Sequence, residues 1–278
     1  MIEHRPARIS SPRADRTVTI TPSRARAFAR CPLQYSETFG ATRPDDGRRH
    51  LQMGQYIHEL ADRYNKAVMA GRSARVDDVL EQTPLPLPLR DGSDGESSVR
   101  DFGRESLEAY QSFLEDQHFA AVVASEHYVR TPPRPVIGAP GCSIVLSGRF
   151  DLIATRETAS ADDIAAGVLP SVVCIDVKTA LSADLADHPS SAVYDHLARY
   201  AYRTDNVELM QVTRTGQWTS VRLTPAQIET GVQFCRAMVA AVSTRQFPAH
   251  PGGQCDYCPL VSTTCPAHQP RPGWDTAF

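Results

Sequence analysis

Apolar side chains in the N-terminal part of the chain recur every three or four positions, as they do along one face of an amphipathic helix. The pattern covers residues 49–70, which Gly71 brings to an end, and residues 99–117. The segment between them, residues 83–98, is rich in proline, glycine and polar residues. We therefore expect two long helices separated by a loop.

Further helices are marked mainly by the residues that begin them. Thr21-Pro22-Ser23 is a helix-start signal. The helix is expected to end near Cys31, because Pro32 disfavours helical backbone at the residue before it. Thr224-Pro225 caps a last helix, and a helix is also expected over 192–203. Apolar residues at nearly ideal helical spacing form the stripe of the last helix: Ile228, Val232, Cys235, Val239 and Val242.

The pattern changes to that of β-strands after residue 119. Strands are expected over 120–130, 142–155 and 171–180, and a pair of strands across 206–223. The turn-rich segment 131–141 connects the first two. This order of elements predicts an α/β fold with a mixed central β-sheet flanked by helices, a helical N-terminal portion and a cysteine-rich C-terminal tail.

The chain of 278 residues is long enough to bury a sizeable core. We expect residues 1–16 to be a flexible basic tail and residues 17–278 to form one domain. Within that domain, a helical portion over 17–119 precedes a catalytic core over 120–247 and a cysteine-bearing tail over 248–278.

Composition and charge limit the classes of partner. The chain is 41% hydrophobic and 22% charged, as soluble globular proteins are. It lacks an apolar run long enough for a membrane span and shows no signal peptide, so a cytoplasmic location without membrane contact is expected. A protein that coats nucleic acid is usually strongly basic, whereas this chain has a formal net charge of -3. Any DNA binding should therefore be confined to a local groove.

Two of the predicted strands carry acidic residues and a lysine. Asp151 lies in GRFDLI, and Asp176 and Lys178 lie in CIDVKT. Residues two apart on a strand point to the same face, so Asp176 and Lys178 emerge together while Ile175 and Val177 face the core. A structural ion pair is one explanation for such an acid and amine.

A phosphodiesterase site is the other explanation. Hydrolysis of a phosphodiester needs carboxylate oxygens to hold a hard cation such as Mg2+ or Mn2+, and a fixed positive group near the reacting phosphate. Asp151 and Asp176 would supply the oxygens, and Lys178 the positive group. The backbone carbonyl of Val177 is a further candidate metal ligand.

These residues resemble the motifs of a known family of nucleases. The G-R-F-D segment, followed by an apolar strand with D-V-K-T, resembles the PD-(D/E)XK nucleases, and Gly54 to His58, GQYIH, resembles the G-x-x-x-H helix of their RecB-like members. The resemblance implies a restriction-endonuclease-like core and a metal-binding role for His58. It extends over about residues 18–266.

Three more residues are candidates for the same site. RecB-like members often carry Q-x-x-x-Y on the helix after the lysine strand, and the matching stretch here is HLARY. The resemblance therefore implies a catalytic role for Tyr200, while His196 stands where the family has glutamine and could contact phosphate or water. Glu126, on the strand before GRFD, either faces the site or lies on a solvated strand face.

Four of the seven cysteines suggest a metal centre. Cys255, Cys258 and Cys265 form C-x2-C-x6-C in a tail rich in proline and glycine, where metal bonds would supply stability that a core cannot. Cys31 is the best candidate for a fourth ligand. Without a secretory signal, clustered cysteines bind metal more often than they form disulfides. Spacing alone is compatible with tetrahedral zinc and with an iron–sulfur cluster.

The segment around Cys31, SRARAFARCPLQY, resembles the N-terminal cysteine segment of AddB-type nuclease domains and of CRISPR-associated RecB-like exonucleases. In those families one N-terminal and three C-terminal cysteines bind a 4Fe–4S cluster, which implies the same for Cys31, Cys255, Cys258 and Cys265. The other three cysteines, Cys142, Cys174 and Cys235, are expected to be small buried hydrophobic residues.

The resemblance as a whole implies a metal-dependent DNA nuclease. We expect an exonuclease that acts on DNA ends or single strands in repair, recombination or processing. Two alternatives are a catalytically silent DNA-binding or scaffold protein with the same fold, and a zinc-stabilised interaction module. The chain has no GxxxxGK[ST] loop, so any helicase activity would come from a partner protein.

Overall fold

The computed structural model describes residues 16–40, 49–85, 95–178, 181, 184–258, 260–261 and 265–267. The tail expected over 1–16 therefore lies outside the described residues except for Arg16. The same holds for most of the loop expected over 83–98 and for the last part of the cysteine-bearing tail. Among the described residues, no helix is long and apolar enough to cross a lipid bilayer.

One mixed β-sheet forms the centre of the molecule. Its strands within the described residues are β1 (Arg16–Ile20), β2 (Ala121–Arg130), β3 (Arg134–Pro135), β4 (Cys142–Thr155), β5 (Val172–Lys178), β6 (Val207–Thr213) and β7 (Trp218–Val221). The order is β1-β4-β5-β6-β7, and β2 and β3 also pair with β4. The β1–β4 and β5–β6 pairs are parallel, whereas all other pairs are antiparallel.

Helices cover both faces of this sheet. The described α-helices are α1 (Pro22–Arg30), α2 (Pro32–Gly40), α3 (Arg49–Met69), α4 (Val76–Gln82), α5 (Gly95–Gln117), α6 (Ala161–Ala166), α7 (Pro189–Tyr202) and α8 (Pro225–Thr244). One hydrophobic core joins α1, α7 and α8 to one face, and a second core joins α3, α4 and α5 to the other. The predicted fold class, an α/β fold with a mixed sheet flanked by helices, is confirmed.

Local sequence signals explain where most helices begin. Thr21 caps α1 through its side chain, and Thr224 and Gln227 form a reciprocal capping box at α8. The predicted start of α7 at residue 192 is three residues late. His188 accepts a hydrogen bond from the backbone N–H of Ser190, and Pro189 occupies the first turn, where a proline costs no hydrogen bond.

Three short helices were not predicted. The predicted boundary at Cys31 is correct, but α2 begins directly after it at Pro32, because proline fits the first turn of a helix as well as it ends one. Helix α4 has two buried apolar residues, Val79 and Leu80, which are too few to form a periodic pattern. Helix α6 has no buried residue, so it carries no hydrophobic signal.

The approach of α7 to α8 depends on a glycine. A Cβ atom built on Gly231 of α8 would clash with Cβ of Ala192 on α7, whereas a Cβ on Gly54 of α3 would meet nothing within 4 Å. Gly231 therefore permits close helix packing, and Gly54 does not serve this purpose.

The two glycines should respond in opposite directions to the same substitution. We expect Gly231→Ala to lower the free energy of unfolding by about 1–3 kcal/mol, as overpacking does. Gly54→Ala should raise it by about 0.5–1 kcal/mol, because alanine loses less backbone entropy in a helix. Chemical denaturation of both variants and the wild type measures the difference. Equal stability of the two variants would show that α7 and α8 are not closely packed at Gly231.

Candidate active site

The site begins at an irregularity in the longest strand, β4. Phe150 and Leu152 are two residues apart, so a regular strand would direct both side chains to the same face. Instead, Phe150 belongs to the core beneath α7, and Leu152 belongs to the core beneath α3. The alternation of β4 therefore breaks at Asp151, the residue between them.

The carboxylate of Asp151 lies where β4 and β5 separate. The pairing of these strands ends at Leu152 and Ile175. Beyond that point, the backbone N–H of Val177 donates to Oδ2 of Asp151 at 2.7 Å. The other carboxylate oxygen, Oδ1, lies 3.2 Å from Nδ1 of His58 on α3. One side chain therefore links two strands and a helix.

Glu126 reaches the same point from β2. Ser125 pairs with Leu152 and His127 pairs with Phe150, so Glu126 lies between these two pairs, opposite Asp151. Its φ of 49° is in the left-handed region, which is costly for a residue with a side chain. The ligand atoms of His58, Glu126 and Asp151 all lie within 4.8 Å of one another, a spacing at which one cation could contact all three.

A chain of partly and fully buried hydrogen bonds holds Ser125, the neighbour of Glu126, in place. Ser125 Oγ is 2.8 Å from Oδ1 of Asp62, to which it donates, and it accepts from Nδ2 of Asn65 at 3.4 Å. Asn65 is almost fully buried and also pairs with the hydroxyl of Tyr110. These bonds connect α3 and α5 to β2 at the position where the strand departs from regular geometry.

Asp176 and Lys178 form the second part of the site. Nζ of Lys178 lies 2.7 Å from Oδ1 of Asp176. The alternate residues of the strand, Ile175 and Val177, are buried in the core on the opposite face. The same-face placement predicted from strand geometry is confirmed. Lys178 and Lys66 are the chain's two lysines, against 27 arginines, and Lys66 forms an ion pair with Asp62.

An open cleft of about 650 Å³ leads to this group. Its lining residues are mostly charged: Gln55, His58, Glu59, Asp62, Lys66, Glu126, Arg149 and Asp151. The guanidinium of Arg149 lies 3.1 Å from Oε2 of Glu126 and is largely exposed. Arg149 is therefore a positive group beside the acids that is accessible from solvent.

Burial and charge–charge interactions shift the pKa values of ionisable groups in this site. Burial lowers the pKa of His58, but its hydrogen bond to Asp151 and the charge there outweigh burial and raise it overall. Burial and the charge of Asp151 raise the pKa of Glu126. Burial raises the pKa of Asp176, against the opposing effect of Lys178. A bound cation would stabilise the ionised forms of Glu126 and Asp176 and would displace any proton from the His58 nitrogen that it contacts.

The structure does not bring every candidate residue to this place. His196 lines a different, apolar cleft, and Tyr200 is 44% exposed. Tyr194, which the sequence analysis missed, packs on Phe150 with ring centroids 5.4 Å apart. Burial and the nearby charges of Asp176 and Asp151 raise its pKa. The position of Tyr200 is about 120° around α7 from that of Tyr194. Tyr194 lies within the helix expected over 192–203, but the family pattern matched HLARY and so selected Tyr200.

The four candidate cysteine ligands meet around one small cavity. Cys31 at the end of α1 and Cys255, Cys258 and Cys265 of the tail line this cavity together. The backbone N–H of His250 donates to Sγ of Cys31, and that of Gly252 donates to Sγ of Cys255, each at 3.4 Å. Cys142, Cys174 and Cys235 are buried elsewhere, as predicted.

This set of donors fits a metal centre. Four thiols converge although Cys31 and Cys265 are separated by most of the chain. Backbone N–H groups directed at cysteine sulfurs stabilise thiolates and are a feature of iron–sulfur sites. A tetrahedral zinc ion would use the same four residues.

A comparison of the chain with models of known protein families gives a match. A family model described as the PD-(D/E)XK nuclease superfamily matches residues 19–266. No curated protein matches the chain.

Two solved structures are similar to the chain at low sequence identity. The structure of SSO0001 is 13% identical, with 94% of this chain and 91% of that chain covered and a TM-score of 0.39. A protein of Eubacterium rectale named "Putative exonuclease" is also 13% identical, with 86% of each chain covered and a TM-score of 0.48.

Replacing Glu126 with glutamine tests whether it belongs to a cation site. Without metal, Glu126→Gln should be at least as stable as the wild type, because it removes a charge that repels Asp151. Its affinity for Mn2+ should fall by at least about tenfold, and the rise in melting temperature with added Mn2+ should shrink accordingly. Thermal melting with Mn2+ and with a chelator measures both effects.

The matched control is Glu59→Gln. Glu59 lines the same cleft, and its carboxylate pairs with Arg63. This variant should keep the wild-type response to Mn2+. A full Mn2+ response in Glu126→Gln, or an equal loss in both variants, would contradict a role for Glu126 in cation binding.

Proposed function

The chain belongs to the PD-(D/E)XK nuclease superfamily, and from this premise we propose that it is a RecB-like DNA exonuclease. It hydrolyses phosphodiester bonds with the help of Mg2+ or Mn2+ and carries a 4Fe–4S cluster. The observation that carries this proposal is the convergence of His58, Glu126 and Asp151 beside the Asp176–Lys178 pair, where β4 and β5 separate.

The acidic residues and histidine would hold the divalent cation. His58, Asp151 and Asp176 are the proposed ligands, together with the backbone carbonyl of Val177, and Glu126 joins them from β2. When bound, such a cation neutralises phosphate charge and lowers the pKa of a water molecule. Three carboxylates and one imidazole are suitable ligands for Mn2+, and the carboxylates suit Mg2+.

Lys178, Arg149 and Tyr194 position the substrate, the attacking water and the metal-binding acids. Lys178, held by Asp176, presents an ammonium group that hydrogen-bonds the water or the phosphate and stabilises the charge that develops there. Arg149 can pair with a phosphate group in place of Glu126 once that carboxylate contacts a cation. The ring of Tyr194 supports Phe150 behind Asp151, so we propose Tyr194 as a positioning residue in place of Tyr200 and His196.

DNA is the proposed substrate, and the resemblance of the motifs to RecB-like exonucleases supports attack at ends or on single strands. The preserved acids and lysine favour an active enzyme over a silent scaffold, because a protein that only binds DNA does not need them. A role in repair, recombination or DNA processing, in the cytoplasm and with a partner helicase, follows from the same resemblance.

The cysteine centre has a structural role in this proposal. It joins the end of α1 to the tail that follows α8, across a loop of more than two hundred residues. Closing so long a loop restricts the unfolded chain, and bond formation itself adds stability. Similarity of the Cys31 segment to AddB-type domains supports iron–sulfur rather than zinc.

Cleavage of linear and circular DNA tests the catalytic proposal. With Mn2+, the wild type should degrade end-labelled linear single-stranded DNA and leave closed circular single-stranded DNA intact. Lys178→Arg keeps the positive charge but replaces the ammonium group with a guanidinium, which has a different shape and different hydrogen-bond donors. Its cleavage rate should therefore fall by about a hundredfold to a thousandfold, while it still binds DNA. Gel electrophoresis and a binding assay in Ca2+ measure both properties.

Lys66→Arg is the matched control, since arginine can also pair with Asp62, and it should cleave at close to the wild-type rate. Equal cleavage by Lys178→Arg and the wild type would contradict the proposed active site. Rapid cleavage of the circular substrate would instead contradict only the exonuclease proposal.

Replacing Cys258 tests the cysteine centre. Purified wild type should absorb near 400 nm and contain iron, and Cys258→Ala should lose both the absorbance and several degrees of melting temperature. Cleavage should fall only with the folded fraction. Cys235→Ala, which alters a buried cysteine away from the centre, should keep the colour. Zinc in place of iron would contradict the cluster, and a colourless variant with wild-type melting would contradict its structural role.

A further inference from the structure

A second cleft lies on the outer side of α7, between β3, β4 and α8, and encloses about 300 Å³. Its floor is aliphatic, and its inner residues are buried or partly buried: Ile144, Leu146, Val193, Ile228, Val232 and Cys235. None of its lining residues lines the catalytic cleft. It is therefore a separate feature that the proposed nuclease activity does not use.

The mouth of this cleft is positively charged. Arg134, His196 and Arg236 line it and are exposed. Within the described part of the chain, none of these three side chains has a hydrogen-bond or ion-pair partner. Asp195, which precedes His196 in the chain, is buried and already pairs with both Nε and Nη2 of Arg199. Two arginines thus stand at the mouth of an apolar cavity, with His196 beside them, and within the described residues no acid forms an ion pair with them.

The shape and chemistry of the cleft narrow the class of ligand. Single-stranded nucleic acid is usually held by several Phe, Tyr or Trp side chains on which bases stack, and the lining has none of these three residue types. A peptide added as a strand would need donors along β3, but Pro135 removes one of them at that edge. A cavity of this volume with an apolar floor and a few polar groups at its mouth is typical of a small-molecule site.

We propose that this cleft binds an amphipathic anion with a carboxylate head and an aliphatic body. The carboxylate would pair with Arg134 and Arg236 through charge-assisted hydrogen bonds, with His196 beside them. The aliphatic body would bury itself against Leu146, Val232 and the other floor residues. The exposed Ile137, which is 88% accessible, lies at the rim and would cover part of the bound chain.

Calorimetric titration with three probes tests the chemical class. Dodecanoate, below its micelle-forming concentration, should bind the full-length protein saturably at one site. Dodecyltrimethylammonium has the same aliphatic chain with the opposite charge, and acetate has the charge without the chain. Both should bind at least about tenfold more weakly, because one lacks the negative charge and the other lacks the aliphatic chain.

Substitutions locate the binding site. Arg134→Glu and Arg236→Glu should each weaken dodecanoate binding by about tenfold or more. Val232→Trp should abolish it by filling the cavity. Arg72→Glu, the same charge change at an exposed residue that does not line the cleft, should leave it unchanged. Melting temperatures close to that of the wild type would show that the variants are folded. If Arg134→Glu is not folded, Arg134→Gln replaces it.

Several results would overturn the proposal. Equal affinity for dodecanoate and dodecyltrimethylammonium would show a merely apolar surface. Binding that Arg134→Glu, Arg236→Glu and Val232→Trp all leave unchanged would place the site elsewhere. A wild-type dimer that Arg134→Glu separates into monomers on gel filtration would show that a second copy of the chain covers this face. None of these outcomes depends on nuclease activity.

Discussion

The hydrogen bond from the Val177 backbone N–H to the Asp151 carboxylate is the interaction on which the site depends. It replaces a ladder bond at the place where β4 and β5 separate. A hydrogen bond to a charged group contributes about 1.5–3 kcal/mol, so it can hold the two strands apart in a defined geometry. The same carboxylate contacts His58, which fixes the position of α3 relative to the sheet. Strands and helix are thus joined at the proposed reaction centre.

This arrangement has an energetic cost that a cation would offset. Glu126 adopts left-handed backbone geometry, and burial together with Asp151 raises its pKa. Backbone strain and repulsion between like charges both destabilise this part of the protein, and a ligand that binds there would compensate for both. The buried bonds among Asp62, Asn65 and Ser125 resist relaxation of the strand. A bound cation would add to the positive charge that Arg149 and Lys178 already supply there.

The sequence predicts those parts of the site that follow from local periodicity. The two-residue period of β5 places Asp176 beside Lys178, and helical spacing identifies α3 and so His58. The contribution of Glu126 depends on an irregularity between β2 and β4, which no local pattern reveals. Tyr194 was missed because its role depends on a tertiary contact with Phe150, whereas the family pattern selected Tyr200 on the same helix. The spacing of Cys255, Cys258 and Cys265 suggests a shared centre, whereas the addition of Cys31 depends on contacts between distant parts of the chain and was suggested by the family resemblance.

Substituting Asp151 by asparagine tests the central claim most directly, because asparagine has nearly the same shape and can still accept the Val177 N–H. The measurement is Mn2+-dependent cleavage of end-labelled linear DNA, with metal-free melting of both proteins as the check on folding. We expect Asp151→Asn to remain folded, with a metal-free melting temperature within several degrees of the wild type, and to lose cleavage by at least about a thousandfold. A folded Asp151→Asn protein that cleaves within tenfold of the wild-type rate would contradict the account.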